Sequence, residues 1–148
     1  MRLGRLLERV IWQENELYNL HKLGETFATF ERPELVETFK LMAEEELRHR
    51  KTMEDLLSNE SLEKAGVEAY TDVLSLEPML ADERAEPASL RELVVEAIVR
   101  EKHAYEMYTK LSEVTGGSLS QIFRMMAGEE LKHAYRLRLI YEGLELDG

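Results

Sequence analysis

The sequence predicts an all-α protein: a bundle of four long helices, built as two similar helical hairpins joined by one long crossover. Three observations carry this. Strand-like alternation is nearly absent, and three prolines and eight glycines are the only strong breakers in 148 residues. Helix start and stop signals divide most of the chain into four stretches of roughly 25 residues, each about 37 Å long at 1.5 Å per residue. The segment Phe39-Lys40-Leu41-Met42-Ala43-Glu44-Glu45-Glu46-Leu47-Arg48-His49 recurs as Phe123-Arg124-Met125-Met126-Ala127-Gly128-Glu129-Glu130-Leu131-Lys132-His133, identical at seven of eleven positions.

The first helix is expected over about 3–27, ending before Phe30-Glu31-Arg32-Pro33. The second, about 33–57, opens with Pro33 at a first-turn position, where its missing N–H costs nothing; Ser58-Asn59 ends it. The third, about 89–114, starts at the capping box Ser89-Leu90-Arg91-Glu92 and stops before Gly116-Gly117. The fourth, about 118–142, starts at a second such box, Ser118-Leu119-Ser120-Gln121, and meets a stop signal in Gly143. Short connections between helices one and two, and three and four, force antiparallel hairpins. Residues 58–88 are long enough to carry the chain along the bundle, with a short helix of their own over about 61–74. The whole chain, 1–148, is expected to form one domain.

Composition narrows the chemistry. With 33% charged and 44% hydrophobic residues the chain reads as globular rather than disordered. No apolar run approaches the roughly 18–20 residues of a membrane span. The N-terminal charges are too closely interleaved for a signal peptide, so a cytoplasmic location is expected. There is no Cys, which removes disulfides, thiol nucleophiles and Cys-ligated zinc or iron–sulfur sites. Any metal must sit on oxygen and imidazole. The net charge of −11 disfavours nucleic acid and anionic membranes as partners; 26 of the 30 acids are Glu, as long solvated helices also require.

Each copy of the repeat carries a Glu three residues before a His: Glu46/His49 and Glu130/His133. On a helix this spacing puts both side chains on one face, about a turn apart. The same spacing fits exposed salt-bridging faces, but three features favour a site. The pairs occupy matching places in a repeat with identical Phe, Met, Ala and Leu around them. The other helices repeat as well: the stretch around Glu14 aligns with that around Glu101 at an offset of 87 residues, against 84 for the second pair. Both Glu14 and Glu101 have a tyrosine at i+4, Tyr18 and Tyr105. Finally, Ile11, Tyr18 and His21, with Ile98, Tyr105 and Tyr108, place these two carboxylates on otherwise apolar or aromatic stripes. A carboxylate there is costly unless paired or bound to a cation. Four carboxylates and two imidazoles carry four negative charges, which two divalent ions neutralise. Iron and manganese suit this oxygen and nitrogen set.

Over nearly its whole length the pattern resembles the rubrerythrin-like branch of the ferritin-like superfamily, with a Glu on helices one and three and Glu-x-x-His on helices two and four. The resemblance implies a di-iron carboxylate site with Glu14, Glu46, His49, Glu101, Glu130 and His133 as ligands, Glu46 and Glu130 bridging. It implies two iron ions as cofactor, with manganese or zinc as possible substitutes. The implied activity is reduction of hydrogen peroxide or O2. The chain also departs from the family pattern. Without Cys it carries no rubredoxin-like iron domain, which needs four cysteine ligands, so an electron donor, if one is used, is expected to be a separate protein. Where rubrerythrins tend to place a further carboxylate, three residues beyond the third-helix ligand, this chain has Ala104.

Rival readings are an iron-handling ferroxidase or storage protein, a dimanganese catalase, and a structural bundle with adventitious metal. A homodimer is plausible for such a bundle. Glu45 and Glu129, four residues before the histidines, are the alternative ligands to Glu46 and Glu130. Tyr18 and Tyr105 are either core aromatics or hydrogen-bond donors to ligand carboxylates. His21 is either a core histidine or an extra polar group near the metals, and His103, rotated about 200° from Glu101, faces solvent. Trp12, Met42, Met53, Met107, Met125 and Met126 are expected to fill the core.

Overall fold

The computed structural model describes residues 3–58 and 86–147. Helix α1 spans Leu3–Glu31, a 3-10 turn follows at Pro33–Leu35, and α2 runs Val36–Leu57. Helices α3, Leu90–Val114, and α4, Gly117–Asp147, form the second hairpin. Within each hairpin the helices pack along their length, and α1 also packs on α3. The result is an all-α four-helix bundle, without strands among the described residues. The expected crossover, including the short helix over 61–74, lies outside those residues apart from its two ends.

The helix ends follow from local chemistry. Nothing breaks α1 before Pro33, so it passes the expected end near residue 27 and reaches Glu31. Arg32, which precedes the proline, then takes a non-helical backbone (φ −148°, ψ 77°). At α3, the Ser89 hydroxyl accepts from the Glu92 N–H at 3.2 Å while the Glu92 carboxylate accepts from the Ala88 N–H. Glu31, at the far end of α1, accepts from the Leu90 N–H. Helix α4 starts at Gly117, one residue before the expected serine, and Gly117 is the described residue with positive φ (60°). Gly143 keeps helical backbone, so α4 continues to Asp147.

The core comes in two apolar blocks. One gathers Leu6, Leu7, Val10, Met53, Met107, Tyr108, Leu111, Phe123, Met126 and Ala127. The other gathers Leu20, Ala28, Phe39, Met42, Leu90, Leu93, Val94, Ala97 and Leu137. In the second block α1 and α2 approach closely at Gly24: a Cβ there would lie 2.5 Å from the Phe39 ring. Trp12 and Met125 do not fill the core as expected; they are 45% and 58% exposed. Trp12 is two residues from Glu14 and Met125 five from Glu130, which turns both away from the inward face. Met42, Met53, Met107 and Met126 are buried.

Candidate metal centre

Along α1 and α3 the two apolar blocks occupy opposite ends, and buried ionisable side chains lie between them and, at His21, just inside the second. Glu14 and His21 come from α1, Glu46 and His49 from α2, Glu101 from α3, and Glu130 and His133 from α4; all are at most 3% exposed. They fall into two groups whose ligand atoms lie within 4.8 Å of one another: Glu14, Glu46, His49 and Glu130; and His21, Glu46, Glu101 and His133. Glu46 belongs to both. Glu130 is near both too, its Oε1 3.1 Å from His49 Nδ1 and 3.6 Å from His133 Nδ1. The structure thus brings together all six candidate ligands and adds His21.

The helical repeat explains the convergence. Residues i and i+3 share a face, so Glu46 with His49 and Glu130 with His133 point inward from α2 and α4. The i−1 carboxylates, Glu45 and Glu129, turn to the side and have a different job from the one weighed in the sequence. Glu129 accepts a hydrogen bond from His49 Nε2, and Glu45 accepts one from His133 Nε2 at 2.7 Å. Nδ1 of each ring faces the cluster: His49 Nδ1 lies 3.7 Å from both Glu14 and Glu46, and His133 Nδ1 lies 2.7 Å from Glu46 Oε1, so each has a lone pair for a metal once its proton there is lost. Such a carboxylate behind an imidazole fixes its tautomer and raises its basicity toward a metal. Each repeat supplies this support to the histidine of the other.

Tyr18 and Tyr105, read from the sequence as either core aromatics or donors to a ligand carboxylate, are half-buried, and the phenol that reaches a candidate ligand carboxylate is Tyr108, whose hydroxyl donates to Glu14 Oε1. Seven residues are nearer to a whole number of turns than four, so Tyr108 stays on the inward face that Tyr105 leaves. His21 occupies the matching place in α1, seven residues after Glu14, and its Nε2 lies 2.7 Å from Glu101 Oε1. The sequence held both signals, since His21 and Tyr108 sit on the stripes of their glutamates. His103 is half-buried and stands outside both groups.

In the metal-free cluster the crowded carboxylates hold protons. Burial, and then the negative charges of Glu101, Glu130 and Glu14, push Glu46 well above the usual carboxylate range. Glu130 is raised likewise, by burial and then by Glu101 and Glu14. Burial alone would lower His49, but the Glu130 and Glu14 carboxylates beside it override that and push the imidazole up to about 12. His133 rises to about 10 in the same way, against its burial, through Glu101 and Glu45. Glu101 goes the other way: burial would raise it, yet bonding to His133 and His21 holds it well below the usual range.

The donor set fits a pair of cations. Glu14 Oε2, Glu46 Oε2, Glu101 Oε2 and both oxygens of Glu130 are buried without a hydrogen-bond partner, as is His49 Nδ1. Leaving a buried polar atom unpaired costs about 1–3 kcal/mol, more if charged, so a fold that gathers five such oxygens is poised for divalent ions. Two cations held here would have Glu14 and His49 near one and Glu101 and His133 near the other, with Glu46 within reach of both.

Among known proteins, the family model described as Rubrerythrin matches residues 6–141. No curated protein and no solved structure matches the chain.

Proposed function

The chain belongs to the rubrerythrin family of di-iron carboxylate proteins, and from that premise we propose that it is an oxidoreductase that reduces hydrogen peroxide or O2 with electrons from a separate donor protein. The observation that carries the proposal is the buried set of unpartnered carboxylate oxygens and inward-facing imidazole nitrogens, shared through Glu46. Two iron ions bound there would supply the electrons for reduction. Oxygen and imidazole ligands suit iron in a site without sulfur.

The chain's own residues do the rest. Glu45 and Glu129 hold the imidazoles with Nδ1 inward. The apolar blocks, with Tyr108 and Phe123 stacked at 6.2 Å in one of them, keep bulk water from the ligand atoms. Tyr108 holds a proton on Glu14, within the cluster, where a reduced oxygen species needs one. No carboxylate stands at position 104, where Ala104 is buried, so Glu101 is the third-helix carboxylate available to this site.

Anaerobic loading with ferrous iron, followed by mixing with peroxide or with O2, tests the reading. The expected result is two irons per chain and rapid growth of near-ultraviolet ferric absorption with one of the oxidants, reversed by an added reductant. A protein that binds two ferrous ions and reacts with neither oxidant would sink the enzyme reading and leave a metal-binding protein. Ferric product accumulating as mineral in a large assembly, seen by sedimentation, would point to iron storage instead.

A further inference from the structure

The repeated Glu-x-x-His motifs account for two imidazoles, and the cluster contains three. His21 is fully buried, and its Nδ1 has no hydrogen-bond partner. Its Nε2 points into the cluster, 2.7 Å from Glu101 Oε1 and 3.9 Å from Glu46 Oε1. Its ring stands edge-on to His133 with centroids 5.8 Å apart. Two atoms that bind one six-coordinate ion side by side, each at about 2.1 Å, are separated by about 3 Å. The His21–Glu101 contact is therefore as compatible with two ligands of one ion as with a hydrogen bond.

Resting on the metal-centre reading above, we propose that His21 is a ligand of the ion held by Glu46, Glu101 and His133, so that the two metal positions are unlike. One position has two imidazoles; the other, built by Glu14, Glu46, His49 and Glu130, has one and is richer in carboxylate. The pseudo-symmetry of the repeat locates the difference. The residue that matches His21 in the second half is Tyr108, a phenol that donates to Glu14 and keeps its proton. An imidazole in the same place has a lone pair to give, and Nε2 is the atom turned inward. A position with two nitrogens favours cobalt, iron or zinc, while a carboxylate-rich one accepts manganese more readily. Had His21 served merely to orient Glu101, as Tyr108 does Glu14, any hydrogen-bonding side chain of similar size would replace it.

Cobalt(II) distinguishes the two roles. When the metal-free protein is loaded with two equivalents, each bound imidazole contributes one strongly shifted, solvent-exchangeable N–H resonance to the proton spectrum. Three such resonances are expected from the natural chain and two from His21→Gln, which retains a hydrogen-bonding group for Glu101. The substitution should also weaken one cobalt equivalent by about tenfold or more and leave the other near its original affinity. Two resonances in the natural chain, or unchanged affinities in His21→Gln, would overturn the assignment while leaving the dinuclear site intact. Failure of the natural chain to bind two cobalt ions would instead remove the metal centre and this ligand together. The count in the natural chain decides the matter even if the variant does not fold.

Discussion

Laid over one another, hairpin α1/α2 and hairpin α3/α4 present the same residues in the same order. Glu14, Glu45, Glu46 and His49 in one half match Glu101, Glu129, Glu130 and His133 in the other. The halves part seven residues after the first glutamate, with His21 in α1 and Tyr108 in α3. They part again at residue 24, where Gly24 lets Phe39 lie against α1, whereas the matching Leu111 is a full core side chain and the matching Phe123 stacks on Tyr108. The lesson is that a duplicated frame fixes where the candidate ligands stand, while single departures from it would set how alike the two proposed metal positions are. Both departures lie on inward faces, where a change of side chain is felt at the ligands.

The largest effect is expected where the halves share a residue. Glu46→Ala should reduce bound iron from two ions to at most one and abolish oxidant-driven absorption, by metal analysis and rapid mixing. Retention of two tightly held irons would show that Glu46 is not common to both positions. Metal binding itself comes next. At metal concentrations about 1,000 times the dissociation constant the gain is about 4 kcal/mol, an upward shift of the melting temperature of roughly 10 °C. Binding should also release between about two and four protons, drawn from His49, His133, Glu46 and Glu130. Calorimetry in buffers of different ionisation enthalpy measures this, and a buffer-independent heat would contradict it.

The same groups set the pH response of the metal-free protein. Glu46, Glu130, His49 and His133 bind protons more tightly folded than unfolded, so their contributions fall as pH rises. The carboxylate part declines from the ordinary carboxylate range upward, and the imidazole part is lost on passing about 10 and about 12. Glu101 and Glu45 are held low, Glu45 by its bond to His133, so their contribution is present above that range and lost in acid. The urea midpoint of metal-free protein should therefore be lower at pH 9 than at pH 6. Metal-loaded protein should not follow that slope, because the ions have displaced the protons.

Smaller changes sharpen the comparison between halves. Glu45→Gln and Glu129→Gln should each lower affinity for one metal equivalent by about 10–100-fold, and different losses would report unlike positions independently of His21. Gly24→Ala should cost about 1–3 kcal/mol of stability by denaturant titration, because the new methyl meets the Phe39 ring in a packed core. Tyr108→Phe keeps the ring and loses the bond to Glu14, so a loss of about 1 kcal/mol, a few-fold in affinity, is expected. If that loss exceeded the effect of His21→Gln, the division of roles between the two matched residues would be reversed.

Much of the bundle was legible because its signals are local and repeated. Apolar spacing, Pro33 and the Ser89 cap fix helices without reference to partners, and a motif that occurs twice places Glu46/His49 and Glu130/His133 on inward faces. What was not legible depends on contacts between helices. Glu45 and Glu129 look like rival ligands until α2 and α4 face each other and each carboxylate meets the other's histidine. Tyr105 and Tyr108 both share a face with Glu101, and the choice between them turns on a contact with Glu14, 94 residues away in sequence. Helix ends at Glu31 and Asp147 were missed because a glycine or a polar run does not stop a helix that packing sustains.

The crossed support of the histidines bears on how the protein is made. Neither hairpin alone holds a finished binding hand: α1/α2 has Glu14, Glu46 and His49 but lacks the Glu129 that turns His49, and α3/α4 lacks the Glu45 that turns His133. A hairpin emerging first during synthesis would therefore meet iron with its imidazole unoriented and half its carboxylates missing. On the proposed metal-centre reading, tight capture would wait until both hairpins had docked, and metal uptake would then act as a check on assembly.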